Sequence, residues 1–156
     1  MINFIEKCLQ NSSISAKKIL YQANNTIFSE MDTPEGMYVV ESGQVKVSKS
    51  VSHANKAMVL ATYGPHEFFG EVSLIMERPR YAKAVALTDC TLWVLDKKAF
   101  KEAVAKSPEF SFSIMQGLAN KLSSVNEKQK KMISDMGEFT ERLEDFSTLL
   151  HTFFAP

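Results

Sequence analysis

The sequence predicts a mainly β protein with flanking α-helices, in which a β-sandwich or barrel-like roll precedes a long helix. Short β-type runs alternate with turn residues from about residue 24 to residue 95, a spacing typical of all-β sandwiches and barrels. After Asp96 the pattern becomes helical, and a heptad repeat occupies its last part. We therefore expect two regions, residues 1–106 for the roll with its flanking helices and residues 107–156 for the C-terminal helix.

The composition is that of a globular protein. The chain has 156 residues, of which 45% are hydrophobic and 23% charged, so it can bury a real core. Its 18 Lys and Arg balance 18 Asp and Glu, whereas nucleic-acid and membrane-surface binders normally carry a basic excess. Cys8 and Cys90 lack metal-ligand spacing, which favours a reducing, cytoplasmic location. The first ten residues, MINFIEKCLQ, contain charges and no long apolar run, so we expect neither a signal peptide nor a membrane span.

A short amphipathic helix is expected before the roll, because Ile2, Ile5 and Leu9 follow one another at helical spacing. The strands then follow in order. GMYVVESGQVKVSKSV alternates Val45 and Val47 with polar residues after a turn at Gly43. AMVLATYGPHEFF is a second strand that ends in a Gly-Pro turn, and AKAVAL and TLWVLD form a final pair around a Thr-Asp turn.

Two N-caps introduce the helical part of the chain. Asp96 is placed to cap KKAFKEAVAK, and Ser107 with Pro108 is placed to cap and begin the next helix. Near Gly137 this second helix can end and fold back.

The last helix has a coiled-coil seam. Its apolar residues recur at alternating steps of three and four, and such a seam needs a partner helix, so we expect a homodimer. The alternative, a helix that packs on its own roll, normally shows a broader stripe with a period of 3.6 residues. The seam residues are Leu122, Val125, Gln129, Met132, Met136, Phe139, Leu143, Phe146 and Leu150.

The mostly apolar stretch FFGEVSLIMERPRYAKAV places an acid, Glu71, directly after Gly70 and an arginine, Arg80, directly after a proline. A lone buried charge costs several kcal/mol unless it is paired. A turn at Gly70 that begins a short helix over EVSLIM would leave backbone N–H groups free to bind an anion. The Arg80 guanidinium can hold a phosphate, and Glu71, which a phosphate repels, can accept from a sugar hydroxyl. The residues therefore predict either a site for a ribose joined to a phosphodiester or a simple ion pair between Glu71 and Arg80.

This stretch resembles the phosphate-binding cassette of the cyclic nucleotide-binding domain family. The family pattern runs FGE, a small or apolar pair, Leu, a few residues, and PR-x-A. The resemblance extends over about residues 24–131 through MYVVESGQVKV, YGPHEFFGE and TDCTLWVLDKKAFKEAV. The matching cassette residues are Phe69, Gly70, Glu71, Leu74, Pro79, Arg80 and Ala82.

The resemblance implies an eight-stranded, jelly-roll-like β-roll (a double-stranded β-helix) with flanking helices that binds cyclic AMP or cyclic GMP without a metal. It implies that Glu71 takes the ribose 2′-hydroxyl and that Arg80 neutralises the cyclic phosphate. Backbone amides that would help hold the ribose and phosphate are those of Gly70, Val72, Tyr81 and Ala82.

In bacterial members of the catabolite activator type, the helix after the roll covers the base and forms the dimer. LANKLSSVNEKQ resembles that helix and places Val125 and Asn126 at the base-reading pair. The Asn126 amide has both a donor and an acceptor for a base edge, and the alternative is an ordinary solvated residue. Lys121 lies near the phosphate end of that helix, where it either supports the phosphate charge or is solvated.

The sequence departs from the family pattern at three places. Tyr81 stands where relatives have a small or hydroxylated residue, so its ring either crowds the phosphate or lends its hydroxyl. Met31 replaces a usual turn glycine, which we interpret as a structural change away from the pocket. The altered base-reading pair leaves the choice between adenine and guanine open.

The function expected is that of a stand-alone sensor that signals to an unknown downstream protein. Transcription factors of this family carry a DNA-binding domain after the dimer helix, and only 25 residues follow Lys131, so we expect no DNA partner. We expect no enzyme, because His53, His66 and His151 have no ligand spacing and no nucleophile–base motif is present. The alternative is an interaction module of the same fold that has lost its ligand.

Overall fold

A computed structural model describes Lys7, Leu9 and residues 14–51 and 56–154 of the chain. The chain divides into two compact units, residues 1–115 and residues 116–156. The first unit contains the strands and the second consists of the greater part of one long helix. Ile2 and Ile5 of the expected N-terminal helix lie outside the described residues, whereas Leu9 is helical and buried.

The first unit is a β-roll made of two four-stranded antiparallel sheets. One sheet has the order β1-β8-β3-β6 and the other β2-β7-β4-β5. The strands are β1 (Lys17–Tyr21), β2 (Thr26–Phe28), β3 (Met37–Ser42), β4 (Val45–Val51), β5 (Lys56–Tyr63), β6 (Phe68–Phe69), β7 (Lys83–Ala86) and β8 (Cys90–Leu95). The mainly β fold class and its eight-stranded roll are confirmed.

The core of the roll is apolar side chains from both sheets, including buried Val40, Val45 and Leu92. Aromatic rings extend it toward β6, where Phe69 stacks on Tyr38 with ring centroids 5.1 Å apart. Offset aromatic pairs of this kind contribute about 0.5–1.5 kcal/mol beyond their buried area. The short strand β6 is therefore anchored to the core directly before the cassette begins.

Three helices follow from the sequence signals described above. They are α1 (Glu71–Met76), α2 (Lys97–Lys106) and α3 (Pro108–Phe154). The Asp96 side chain accepts a hydrogen bond of 2.8 Å from the backbone N–H of Ala99, and Ser107 Oγ accepts one of 3.1 Å from Phe110. Both predicted N-caps are thus confirmed.

The long helix α3 runs without a break through Gly137, so the helix does not end there. A Cβ at Gly137 would meet nothing within 4 Å, which shows that this glycine has open space around it. The seam residues of α3 are exposed on the single chain, for example Met132 at 64% and Phe139 at 63%. No described helix combines the length and apolar character needed to cross a membrane.

Candidate functional site

The candidate site begins at Gly70, which joins β6 to α1 and has φ of 78°. This left-handed conformation is one that residues other than glycine adopt at a cost. A Cβ at this position would lie 2.9 Å from Arg80 Nη1 and 3.3 Å from Tyr38 Cδ2. Glycine therefore permits the close approach of the cassette backbone to Arg80, and the short helix predicted after Gly70 is confirmed.

The Arg80 side chain is held inside the roll, with 2% of the residue exposed. Its Nη1 donates a hydrogen bond of 2.7 Å to the carbonyl oxygen of Gly70, and its Nη2 donates one of 2.5 Å to that of Gly36. The guanidinium carbon lies 4.2 Å from the ring centroid of Phe28 and 5.7 Å from that of Tyr38. Both hydrogen bonds go to uncharged carbonyls, so the alternative of an Arg80–Glu71 ion pair is wrong.

The charge of Arg80 is not neutralised by a bonded carboxylate in the described part of the chain. Its Nε is buried without a hydrogen-bond partner among the described residues. Burial lowers the pKa of Arg80, while Tyr38, Asp32 and Glu35 act in the opposite direction. Arginine nevertheless stays protonated in proteins, so the roll contains a buried positive charge that an anion would stabilise.

Glu71, the first residue of α1, is 2% exposed. Burial, together with the negative charges of Glu71 and Glu67, raises the pKa of Tyr63 to about 12. The Tyr63 ring in turn stacks on Phe69, with centroids 5.4 Å apart. The structure therefore places the Glu71 carboxylate near a half-buried tyrosine at the start of the cassette helix.

The backbone of Arg80 is fixed by the turn that contains Met31. The Arg80 N–H donates to the carbonyl oxygen of Asp32 at 2.8 Å, and the Met31 N–H donates to the carbonyl oxygen of Arg80 at 2.9 Å. Our expectation that this turn lies away from the pocket is therefore wrong. Met31 has φ of 67°, which explains why a glycine is usual at this position.

The remaining cassette residues differ in exposure. Ala82 is buried, whereas Val72 is 54% and Tyr81 66% exposed. The Lys49 ammonium lies 3.4 Å from the Tyr81 ring centroid and donates a hydrogen bond of 2.9 Å to the Tyr81 carbonyl oxygen. The Tyr81 ring is thus engaged by a lysine, and the roles of the Gly70, Val72, Tyr81 and Ala82 amides toward a ligand stay predictions.

The proposed base-reading pair lies in the second unit. Val125 and Asn126 are exposed residues of α3, and Lys121 belongs to the same unit. A contact of these residues with a ligand stays a prediction. In the described residues, no group of three or more His, Cys, Asp and Glu side chains is arranged to hold a metal ion.

Sequence reasoning missed the residues that hold Arg80 in place. Gly36 supplies a carbonyl, Phe28 and Tyr38 supply ring faces, and Lys49 holds the next peptide. Gly36 is 44 positions away from Arg80 along the chain, so no local pattern connects them. The only available signal was the chemical requirement that a buried guanidinium have acceptors.

Comparison with known proteins agrees with this geometry. The model of the family described as cyclic nucleotide-binding domain matches residues 18–107. The chain is 26% identical over 113 residues to a CRP-like cAMP-activated global transcriptional regulator of Mycobacterium tuberculosis. The matched region covers 72% of this chain and 50% of that protein. The chain thus spans about half the length of this curated relative.

Solved structures show the same fold. The catabolite activator protein of Thermus thermophilus superposes with a TM-score of 0.70 at 26% identity, covering 83% of this chain and 59% of that one. The regulatory domain of Toxoplasma gondii PKA, solved with cAMP, gives a TM-score of 0.55 at 29% identity, covering 62% and 36%. With its roll, its cassette and a family match over more than half its length, the chain belongs to the cyclic nucleotide-binding domain family.

Proposed function

We propose that this chain binds cyclic AMP or cyclic GMP through its cassette and passes the binding signal to a partner protein through α3. The function is regulatory and not catalytic. The observation that carries the proposal is the buried guanidinium of Arg80, whose hydrogen bonds go to uncharged carbonyls and whose Nε has no partner among the described residues. A cyclic phosphate would supply the missing negative charge.

The position of Glu71 supports a ribose next to that phosphate. The acid is buried directly after Gly70, whose carbonyl binds Arg80. A phosphate repels a carboxylate, so Glu71 is suited to accept a hydrogen bond from a neutral hydroxyl. The cAMP named for the two relatives described above supports the same ligand class.

Isothermal titration with four nucleotides tests the proposal. We expect saturable binding of cyclic AMP or cyclic GMP and much weaker binding of linear 5′-AMP. If Glu71 accepts the 2′-hydroxyl, 2′-deoxy cyclic AMP should bind roughly 10- to 150-fold more weakly than cyclic AMP, because a hydrogen bond to a charged group contributes about 1.5–3 kcal/mol.

Two matched variants locate this effect. Glu71→Gln should reduce the preference for the 2′-hydroxyl, whereas Glu138→Gln, at an exposed position of α3 outside the seam, should leave it unchanged. Equal binding of cyclic AMP and its 2′-deoxy form by the unmodified protein would refute the role of Glu71.

A ligand-free interaction module is the second candidate function. The observation in its favour is that the two carbonyl bonds already hold Arg80 without a ligand. A binder with a micromolar site should gain about 2–3 kcal/mol of stability at a hundredfold excess of ligand. No thermal shift with either cyclic nucleotide would decide for the interaction module.

We further propose that the exposed seam of α3 pairs with a second copy of the chain as a parallel coiled coil. A narrow stripe with a 3.5-residue period fits another helix of the same kind, and Met132, Met136 and Phe139 line a groove on this helix. In a parallel, in-register pair Gln129 meets Gln129 of the second copy. Each amide can donate to and accept from the other, which satisfies the one polar residue of the seam.

The charges that flank the seam are compatible with the parallel arrangement. In each heptad, the residue directly before the first seam residue flanks the seam. In a parallel pair, this flanking residue faces the residue of the second copy that lies five positions further along the sequence. In a parallel pair each of these charged residues faces an uncharged residue of the second copy, so no like charges oppose each other across the seam. The flanking residues are Lys121, Lys128, Asp135 and Arg142, and those that face them are Asn126, Ile133, Thr140 and Ser147.

Sedimentation velocity tests the pairing. The unmodified chain should sediment as a dimer and Phe139→Glu as a monomer, because the substitution places two carboxylates against each other in the seam. Ser134→Glu, which adds the same charge on the opposite face of α3, is the control and should remain a dimer. A dimeric Phe139→Glu protein would exclude this seam as the interface.

Transmission through α3 requires that a ligand favour one state of the helix over another. The helix begins in the first unit and continues through the second, which supports this route. Hydrogen exchange of residues 116–154 should therefore change when cyclic nucleotide binds. Identical protection with and without bound ligand would contradict signalling through α3.

A further inference from the structure

Lys49 lies outside the cassette in the sequence, but its side chain contacts a cassette residue. It lies on β4, and its ammonium donates to the Tyr81 carbonyl oxygen at 2.9 Å and lies 3.4 Å from the Tyr81 ring centroid. A lysine that binds a main-chain carbonyl while covering an aromatic face is held in one place by two interactions. Its partner, Tyr81, immediately follows Arg80 in the chain.

The bond to the Tyr81 carbonyl determines where the next amide points. In a planar trans peptide the C=O of one residue and the N–H of the following residue point in opposite directions. By drawing the Tyr81 carbonyl toward β4, Lys49 turns the N–H of Ala82 to the other side of the backbone. This direction leads away from the Lys49 ammonium, which lies on the carbonyl side of the same peptide. Ala82 itself is buried.

The peptide that precedes is fixed from another side. The carbonyl of Arg80 accepts from Met31, and the same turn holds the end of β4 because Glu30 Oε1 accepts a hydrogen bond of 2.7 Å from the N–H of Ser50. The backbone at residues 80–82 is thus held by the turn on one peptide and by Lys49 on the next.

We propose that Lys49 is a positioning residue of the ligand site, which orients the Ala82 amide toward the cyclic phosphate by holding the Tyr81 carbonyl. This inference rests on the proposed function. It also assigns the Tyr81 ring a role, since the ring supports the Lys49 ammonium and takes no part in contacting the phosphate.

Affinity measurements on three variants test the proposal, with cyclic AMP and cyclic GMP as the probes. Lys49→Met keeps the aliphatic stem and removes the donor, and we expect roughly five- to tenfold weaker binding. Lys49→Arg restores a donor and a cation for the ring, and it should return the affinity to within about threefold of the unmodified protein. Lys46→Met removes a positive charge from the same strand and should bind normally.

Salt separates positioning from a direct charge contact. A lysine that only holds a carbonyl should give the same ratio of affinities for the unmodified and Lys49→Met proteins at low and at high salt, because screening acts on charge–charge attraction. A ratio that falls toward one at high salt would show direct attraction of the ligand and overturn the positioning role. In the ligand-free protein, the amide resonance of Ala82 should move in Lys49→Met and return in Lys49→Arg.

The outcomes distinguish this inference from the function on which it rests. If the unmodified protein binds neither nucleotide, the proposed function fails and the inference fails with it. If the unmodified protein binds and Lys49→Met binds equally well, the inference alone is overturned.

Discussion

The same substitution at two glycines should change stability in opposite directions. Gly70 and Gly137 each follow an apolar residue and precede a glutamate in the sequence, but their surroundings in the structure differ. At Gly70 the backbone is left-handed and a Cβ would lie 2.9 Å from Arg80 Nη1, whereas at Gly137 a Cβ would meet nothing within 4 Å. We expect Gly70→Ala to destabilise the roll and Gly137→Ala to stabilise α3.

The magnitudes follow from the structure. A residue with a Cβ in the left-handed region costs about 1–2 kcal/mol, and an added methyl group in a packed core costs about 1–3 kcal/mol. The guanidinium cannot move aside without losing its bonds to Gly36 and Gly70. Gly70→Ala should therefore lower the free energy of unfolding by about 2–5 kcal/mol, and Gly137→Ala should raise helix stability by about 1 kcal/mol.

Two spectroscopic probes follow the two units separately during urea unfolding. Trp93 on β8 is the single tryptophan of the chain, so its fluorescence reports the roll. Circular dichroism at the helical minimum reports mainly α3. The double variant should show the sum of both effects, since distant sites without shared partners are additive within about 0.5 kcal/mol.

The reasoning would be refuted if Trp93 fluorescence gave free energies of unfolding for Gly70→Ala and the unmodified chain that differ by less than about 0.5 kcal/mol. Ordinary surface substitutions have effects of that size. A destabilising Gly137→Ala would equally contradict the open surroundings of that residue.

Three further predictions use the same urea assay. Met31→Gly should stabilise the roll by about 0.5–1 kcal/mol, since relief of the positive φ exceeds the entropy cost of glycine; an unchanged midpoint would contradict this. Asp96→Ala should cost about 1 kcal/mol by removing the cap of α2, and Asp96→Asn, which can still accept the bond, should not. Folding raises the pKa of Tyr63 from 10.0 to about 12. The stability that neutral Tyr63 contributes is therefore fully present below pH 10 and is lost between pH 10 and pH 12, by at most about 2–3 kcal/mol because solvent screens this half-buried side chain. Tyr63→Phe should lack this loss, and an identical decline in both proteins would rule out Tyr63 as its source.

Local patterns in the sequence were sufficient for several elements of the fold, although β1, which lies before residue 24, was not predicted. The turn at Gly43, the caps at Asp96 and Ser107 and the helix after Gly70 each depend on residues within a few positions of one another. Such signals act through backbone conformation and neighbouring hydrogen bonds, so one sequence contains them completely.

The arrangement around Arg80 could not be predicted in the same way. The need for a partner was evident from its charge, and Glu71 was the ion-pair partner that we considered as the alternative to a phosphate. The partners in the structure are instead carbonyls of Gly36 and Gly70. Backbone carbonyls are present at every residue, so the sequence does not distinguish the two that the fold brings to a guanidinium.

Met31 shows a related difficulty. The substitution of a usual glycine was visible in the sequence, but its location was not, because the contact between this turn and Arg80 joins residues almost 50 positions apart. Its neighbours come together only when β2 and β7 pair in one sheet.

The bonds of Arg80 have a consequence for how genomes and mutant collections are interpreted. The side chain and peptide groups of Arg80 connect its own segment to three others, at Met31 and Asp32, at Gly36 and at Gly70. Loss of this arginine should therefore destabilise the fold even in a protein that no longer binds a nucleotide. The presence of this arginine in a gene is therefore, by itself, weak evidence that the encoded protein still binds a cyclic nucleotide.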